Sequence, residues 1–76
     1  MAVSTADPDL SRLPANMKRL RAERGLTYEQ LAEASGLSRR GVISLERAER
    51  MGTVATWVRI ARALGVSASE FFSVLD

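Results

Sequence analysis

The sequence predicts an all-α domain of five helices, in which the second and third helices form a helix-turn-helix. Apolar residues recur at the helical period from residue 13 onward, and no stretch alternates apolar and polar residues as a half-buried strand would. Four Ser or Thr residues stand where helix N-caps are needed. The link between helices 2 and 3 is only Gly36-Leu37-Ser38, so these helices are expected to cross steeply instead of lying antiparallel.

The first two helices have clear start and stop signals. Helix 1 is predicted from Pro14 to Arg24, because proline suits a first helical position and Gly25 can end the helix in a left-handed conformation. Helix 2 is predicted to follow the N-cap Thr27 and to run to about Ser35. Gln30 stands three residues after Thr27, which is typical of a capping box.

The remaining helices follow the same logic. Helix 3 is predicted from the cap Ser38 to Arg47 or Ala48, and helix 4 from the cap Thr53 to the residue before Gly65. The helix 4 residues predicted to face the core are Val54, Trp57, Val58, Ala61 and Leu64. Helix 5 follows the cap Ser67, with Glu70 completing a second capping box.

A chain of 76 residues bounds the protein to one small domain. Residues 1–12 are small, polar and aperiodic, so they are predicted to be a flexible tail, and residues 13–76 to be the folded domain. The sequence has no Cys and no His, which excludes Cys/His metal sites and thiolate nucleophiles. It also lacks a Gly-rich phosphate loop, so no enzyme, no metal and no cofactor are expected.

The start of the chain and its hydropathy predict a cytoplasmic protein. No apolar run reaches the roughly 18 residues that a membrane span needs. Residues 1–9 contain no Lys or Arg and include two aspartates, which is unlike a secretory or import signal.

Positive charge is concentrated in the middle of the chain. The net charge is only +2, but residues 38–62 contain six arginines and two acids. This excess is typical of a surface that meets an anionic partner such as nucleic acid. An ordinary solvated helical surface explains the charge pattern equally well when the charges are considered alone.

The stretch MKRLRAERGLTYEQLAEASGLSRRGVISLERAER, followed by TVATWVRIARALGVSASEF, resembles the phage repressor/Cro-type helix-turn-helix family of transcriptional regulators. The resemblance covers residues 13 to about 72 without a gap. It implies a compact repressor-like domain that binds double-stranded DNA sequence-specifically, as a repressor or autoregulator. The residues that match the family pattern are Arg21, Gly25-Leu26, Leu31-Ala32, Gly36-Leu37-Ser38, Glu46 and Ala63-Leu64-Gly65-Val66.

The resemblance also implies where DNA would be contacted. Thr27 and Tyr28, at the start of helix 2, are expected to face phosphate, with the Tyr28 hydroxyl as a donor. Base-reading positions fall on the helix that begins at Ser38, where arginine can donate two bonds to guanine and an apolar side chain can touch a thymine methyl. The base-reading residues would be Arg39, Arg40, Ile43 and Ser44, with Arg47 and Arg50 reaching the backbone. Ser38 is also expected at the DNA interface. Ile43 could equally touch another protein, and Ser44 could be an ordinary exposed serine.

Arg21 and Glu46 are implied to form a structural ion pair that joins helix 1 to helix 3. The sequence departs from the family pattern at three positions. Gly41 lies inside helix 3, Ala48 stands where glycine is frequent, and Gly52 stands where proline is frequent.

The apolar composition of helix 5 predicts a homodimer, because this helix has more apolar surface than one helix face can bury in so small a core. Ile60, Phe72 and Leu75 are the predicted dimer contacts, and the alternative is that helix 5 only closes the monomer core. The alternative function is that of an antitoxin or adaptor, which would act mainly by protein–protein contacts through helices 4 and 5.

Overall fold

The computed structural model describes residues 6–76, and the first five residues of the predicted tail lie outside the described part. Residues 6–76 fold into five α-helices and a final 3-10 turn, with no strand among them, so the predicted all-α class is confirmed. The elements are α1 (Arg12–Glu23), α2 (Tyr28–Ser35), α3 (Arg39–Glu46), α4 (Val54–Ala63), α5 (Ala68–Phe72) and the 3-10 turn Ser73–Leu75.

The N-termini of α2 to α5 are fixed by the predicted caps. In each case the cap hydroxyl accepts a hydrogen bond from the backbone N–H three residues later, which satisfies one of the amides that the helix leaves without a partner. At Thr27 the box is complete, because the Gln30 side chain also accepts from the Thr27 amide at 2.9 Å. At Ser67 only half of the predicted box forms. The Glu70 amide donates to the Ser67 hydroxyl, but no hydrogen bond from the Ser67 amide to the Glu70 side chain is present among the described residues.

Helix α1 begins two residues earlier than predicted. It starts at Arg12, so Pro14 is its third residue instead of its first. Proline is tolerated there because none of the first four amides of a helix has an intrahelical partner. Asp9 organises the approach to α1, since its carboxylate accepts from both the amide and the hydroxyl of Ser11.

Three helices end in the same hydrogen-bonded motif. After α1 and α4 a left-handed glycine, Gly25 or Gly65, follows the last helical turn, and the two amides after that turn bond back to its carbonyls. After α3 the same pair of bonds forms, but the left-handed residue is Ala48, with a φ of 58°. A side chain in this conformation is strained, because its Cβ approaches the following carbonyl.

Helix α4 packs the predicted Trp57, Ala61 and Leu64 against the core, but Ile60 takes the place of Val54 in the buried stripe. Trp57, Ile60, Ala61 and Leu64 are buried, whereas Val54 is 72% exposed. The buried residues follow the spacing of three, four and seven that places side chains on one helix face. Ile60 therefore belongs to that face. Its prediction as a dimer contact is wrong, because its side chain is fully buried inside the monomer.

The core lies where α4 and α5 close over the other three helices. Trp57 and Phe71 stack at its centre with their ring centroids 5.8 Å apart. Gly52 lies directly against this centre, since a Cβ at that position would be 3.0 Å from Trp57 Nε1 and 3.0 Å from Leu45 Cδ2. The close approach explains why a residue without a side chain precedes α4. The other fully buried large side chains are Met17, Leu31, Val42, Leu45, Ile60 and Leu64.

Helix 5 is shorter than its apolar content suggested. It ends at Phe72, and the chain finishes as a 3-10 turn in which Val74 and Leu75 are half-buried. Arg12 fastens this end of the chain by donating to the Val74 carbonyl at 3.2 Å.

Candidate nucleic-acid interface

Helices α2 and α3 form the predicted helix-turn-helix. The three-residue turn begins at Gly36, which adopts a left-handed φ of 76° and donates its amide to the Ala32 carbonyl. Ala32 is buried, so a small side chain lies at the junction of the helices. Only Leu37, the middle residue of the turn, packs on the core. This arrangement leaves the beginning of α3 at the surface.

The exposed beginning of α3 has an unusual accumulation of positive charge. Arg39 and Arg40 occupy its first two positions, both exposed, where the helix dipole is itself positive. The guanidinium of Arg50 lies beside the same turn, because a Cβ on Gly41 would be 3.8 Å from its Nη2. Neither Arg40 nor Arg50 forms an ion pair with a residue that the structure describes. The free protein thus holds cations together that an external anion would stabilise.

The remaining base-reading candidates lie further along the same helix. Ile43 and Ser44 are half-buried, and Arg47 is exposed at the end of the helix. Ser38 is exposed and uses its hydroxyl to cap α3 at Gly41. At the start of α2, Thr27 is likewise exposed and occupied as a cap. The structure thus places these candidates on the two helices of the motif.

Tyr28 differs from its predicted role. The sequence suggested a hydroxyl available to phosphate, but this hydroxyl lies 3.1 Å from Glu46 Oε1 and donates to it. The reason is that Glu46 is buried, and a buried carboxylate requires donors. Tyr28 therefore spans from α2 to α3 inside the motif in the free protein.

Arg21 and Glu46 contact each other where the resemblance implies an ion pair. The pair is bidentate, with Nε to Oε2 at 2.6 Å and Nη2 to Oε1 at 2.8 Å. Arg21 also donates to the Leu26 carbonyl at 3.1 Å and lies 4.2 Å over the Tyr28 ring. Burial raises the pKa of Glu46, but the hydrogen bonds from Arg21 and Tyr28 and the positive charges of Arg21 and Lys18 together lower it more, so it lies below its ordinary value. This cluster fixes α1, α2 and α3 relative to one another.

One functional candidate was missed by sequence reasoning. Glu29, in the first turn of α2, accepts from Arg39 Nε at 2.6 Å across the turn of the motif. From sequence alone, an acid in the first turn of a helix is fully explained by the helix dipole. Only the crossing of the two helices brings residues 29 and 39 together.

A second surface lies away from the charged one. An apolar groove of about 340 Å³ runs between the start of α4, the end of the chain and the segment before α1. Met51 and Val54 are 60% and 72% exposed on its rim, and Phe72 and Leu75 are half-buried in it. The full lining is Leu10, Leu13, Met51, Gly52, Val54, Trp57, Phe72 and Leu75.

Residues 17–71 match the model of the helix-turn-helix family. The chain belongs to the helix-turn-helix family. It is 45% identical over 62 residues to the uncharacterized HTH-type transcriptional regulator y4dJ of Sinorhizobium fredii, a match that covers 82% of this chain and 80% of that protein. It is also 39% identical over 61 residues to the control protein C.SmaI of Serratia marcescens, covering 80% and 73% of the two chains.

Solved structures of helix-turn-helix controller proteins have the same fold. The restriction-modification controller C.Esp1396I, crystallised as a tetramer with its natural 35 base-pair operator, superposes with a TM-score of 0.80 at 36% identity. The superposition covers 87% of each chain. The controller C.AhdI from Aeromonas hydrophila superposes with a TM-score of 0.77 at 34% identity, covering 84% of this chain and 97% of that one. No helix within residues 6–76 is both long and apolar enough to cross a lipid bilayer.

Proposed function

We propose that this helix-turn-helix protein is a sequence-specific regulator of transcription that binds double-stranded DNA as a homodimer and inserts α3 into the major groove. The principal support is the gathering of Arg39, Arg40 and Arg50 at the exposed start of α3. An operator complex of the related C.Esp1396I agrees with this proposal. The alternative of an antitoxin or adaptor is not favoured by the relatives, which are named as transcriptional regulators and controllers.

The roles of the arginines follow from their positions on α3. Arg39 and Arg40 stand at the tip of the helix, where a guanidinium can donate two bonds to guanine O6 and N7. Ile43 and Ser44 follow on the next turn, within reach of a thymine methyl or a base edge. Arg47 lies at the end of α3 and Arg50 follows it, and both are proposed to contact phosphates. Phosphate contacts position the protein on DNA without specifying sequence.

The amides at the start of α2 are proposed to hold a second phosphate. Thr27 caps this helix, and the helix dipole adds positive potential at its N-terminus. Tyr28 is proposed to support the motif and not to bind phosphate, because its hydroxyl already donates to Glu46.

The apolar groove is proposed to hold a second copy of the chain. One helix-turn-helix reads only a few base pairs, whereas two copies about 34 Å apart read an inverted repeat. Val54, Met51, Phe72 and Leu75 offer the exposed or half-buried apolar side chains that a self-complementary contact needs. Phe72 and Leu75 thus stay in the predicted interface, and Val54 and Met51 take the place of the buried Ile60.

We propose no catalytic activity for the chain, since helix-turn-helix regulators bind DNA without transforming it. The proposed compartment is the cytoplasm, where a regulator of this kind would meet its operator.

The proposal is tested by selecting binders from a random pool of duplex DNA. We expect an inverted repeat with guanines in each half-site. With about six to ten phosphate contacts, affinity should fall roughly a thousandfold or more between about 50 and 200 mM salt. Enrichment of no sequence at moderate salt would overturn the proposal.

A pair of arginine variants locates the site. Arg40→Ala is expected to abolish a guanine preference and to weaken operator binding about tenfold or more. Arg62→Ala is the matched control, because Arg62 is exposed on α4 and is not part of the helix-turn-helix. Equal losses for the two variants would indicate that general positive charge, and not α3, binds the DNA.

A further inference from the structure

Glu29 and Arg39 form an ion pair on the surface proposed to read DNA. The Glu29 Oε1 atom lies 2.6 Å from Arg39 Nε, and both side chains are exposed, at 65% and 58%. An exposed pair of this kind contributes little to folding. A carboxylate beside a DNA backbone also opposes binding through repulsion of phosphate. The pair therefore calls for an explanation other than stability or general affinity.

The geometry of the pair leaves the reading edge of Arg39 unoccupied. A guanidinium has five N–H donors, and Glu29 takes the one on Nε. The two terminal nitrogens, Nη1 and Nη2, form no hydrogen bond with any residue in the described chain. These are the nitrogens that can donate in parallel to O6 and N7 of guanine. Glu29 thus binds Arg39 at Nε and leaves its two terminal nitrogens available to a base.

The Tyr28 ring limits the position of Arg39 from a second side. The Arg39 guanidinium carbon lies 5.9 Å from the Tyr28 ring centroid, within the range of a cation–π contact. The ring is itself held by Arg21 on its face and by Glu46 at its hydroxyl. Arg39 is therefore tied through Tyr28 to the buried ion pair of the motif.

We propose that Glu29 is a specificity-determining positioning residue, which orients Arg39 for guanine and lowers the affinity of the protein for DNA that lacks that guanine. This inference rests on the proposed function. Ordering an arginine side chain at an interface is unfavourable, and an arginine already held in place loses less freedom on binding. The Glu29 carboxylate repels the phosphate backbone of any DNA to the same extent. The affinity gained by orienting Arg39 is realised only where the correct base is present.

The test measures base preference and non-specific affinity separately. The operator is taken from a selection with the wild-type protein, and the position read by Arg39 is identified as the one whose preference is lost in Arg39→Ala. Four duplexes that differ at this base pair, together with a random duplex, are then titrated with wild type, Glu29→Ala and Glu33→Ala. Glu33 is the matched control, because it is an exposed acid on the same helix and forms no ion pair among the described residues.

For Glu29→Ala we expect the guanine preference to fall at least about fivefold, the lower end of what one bidentate contact supplies. Its affinity for the random duplex should rise about two- to fivefold, because a negative charge is removed near phosphate. Glu29→Gln removes the charge but keeps the side-chain shape, so it should raise the affinity for the random duplex as much as Glu29→Ala does. Its guanine preference should fall less, since the amide oxygen still accepts from Arg39, as a weaker acceptor. Glu33→Ala should retain the full guanine preference. Circular dichroism checks that each variant is folded.

The inference is overturned if Glu29→Ala retains the wild-type guanine preference, or if Glu33→Ala loses as much of it. Failure of the wild-type selection itself is a different result. In that case no operator exists to be read, and the proposed function fails together with this inference.

Discussion

At the scale of single residues, the buried carboxylate of Glu46 joins α3 to α1 and α2. It accepts from Arg21 twice and from Tyr28 once, and its side chain is only 4% exposed. We expect Glu46→Gln to lower the free energy of unfolding by about 3 kcal/mol, because it leaves Arg21 without its counter-charge in a poorly solvated site. Urea denaturation measures this loss.

The control for that measurement is Glu23→Gln. Glu23 pairs with Arg19 at 3.0 Å, but both side chains are more than half exposed. Removal of this charge should cost less than about 1 kcal/mol. Equal losses for the two variants would contradict a structural role for the buried pair.

Glu46 should also make stability depend on pH. Its pKa lies below the ordinary value of 4.5 in the folded protein, since burial, which raises it, is outweighed by the hydrogen bonds from Arg21 and Tyr28 together with the positive charges of Arg21 and Lys18. The stabilisation by ionised Glu46 is then complete above about pH 4.5 and is lost as pH falls through the lower folded-state pKa. The difference in unfolding free energy between wild type and Glu46→Gln should be constant from pH 7 to 5 and shrink below about pH 4.5. A constant difference down to pH 3 would be the contrary result.

Ala48 offers a site where one substitution should stabilise the protein. It has a φ of 58° in a motif where Gly25 and Gly65 occupy the equivalent positions after α1 and α4. Ala48→Gly removes steric strain of about 1–2 kcal/mol, less the entropy that glycine loses on folding, so we expect a net gain of about 0.5–1 kcal/mol. Ala15→Gly, at an exposed position inside α1, should instead lose about 1 kcal/mol. Thermal denaturation distinguishes them, and a loss in both would contradict the strain.

The sequence predicted the positions of residues along the helices more reliably than the contacts between helices. The pattern placed Arg39 and Arg40 at the start of a helix, because the Ser38 cap is a local signal. It could not place Glu29 against Arg39 or Tyr28 against Glu46, because those contacts depend on how the helices cross. Ile60 was misplaced for a related reason, since Val58 and Ile60 are both apolar and only packing decides which one faces the core.

At the scale of elements, the caps account for most of the agreement between sequence and structure. The four caps of α2 to α5 were all predicted, because one hydroxyl and one amide three residues apart are sufficient to form them. The start of α1 was not, since the Ser11 side chain forms no cap hydrogen bond and the helix begins from turns at Asp9 and Leu10. The early end of α5 was also missed, because no glycine or proline follows Phe72.

The shortest helix should depend most on its cap. Helix α5 has five residues and contributes Phe71 to the core, and Ser67 Oγ accepts from the Glu70 amide at 3.0 Å. We expect Ser67→Ala to lower the free energy of unfolding by about 1 kcal/mol. Ser69→Ala is the matched control, since Ser69 is exposed in the same turn and does not cap the helix. Comparable losses in urea denaturation would argue against the cap.

At the scale of the whole molecule, the charged surface and the apolar groove are built from different parts of the chain. Both surfaces depend on α4, whose buried face supports the helix-turn-helix through its packing on α2 and whose first residue, Val54, lies on the groove. The segment that joins α3 to α4 includes Arg50, beside the start of α3, and Met51, on the groove. Dimerisation through the groove would thus fix the spacing of two copies of α3 by a short, directly connected path.

If the groove holds the second copy as proposed, tight operator binding should require dimerisation. Val54→Asp places a charge on the exposed rim of the groove, and we expect the dimer dissociation constant to rise at least about tenfold, because an unpaired charge would be desolvated at the contact. Ala55→Asp puts the same charge one residue further along α4, at an exposed position outside the groove lining, and should leave the dimer intact. Sedimentation equilibrium measures both constants.

The same two variants connect assembly to DNA binding. Val54→Asp should bind a single half-site as wild type does but lose the advantage of the inverted repeat, because the second α3 is no longer delivered at about 34 Å from the first. Ala55→Asp should keep that advantage. A wild-type chain that sediments as a monomer at tens of micromolar and still prefers the inverted repeat would show that DNA, and not the groove, brings the two copies together.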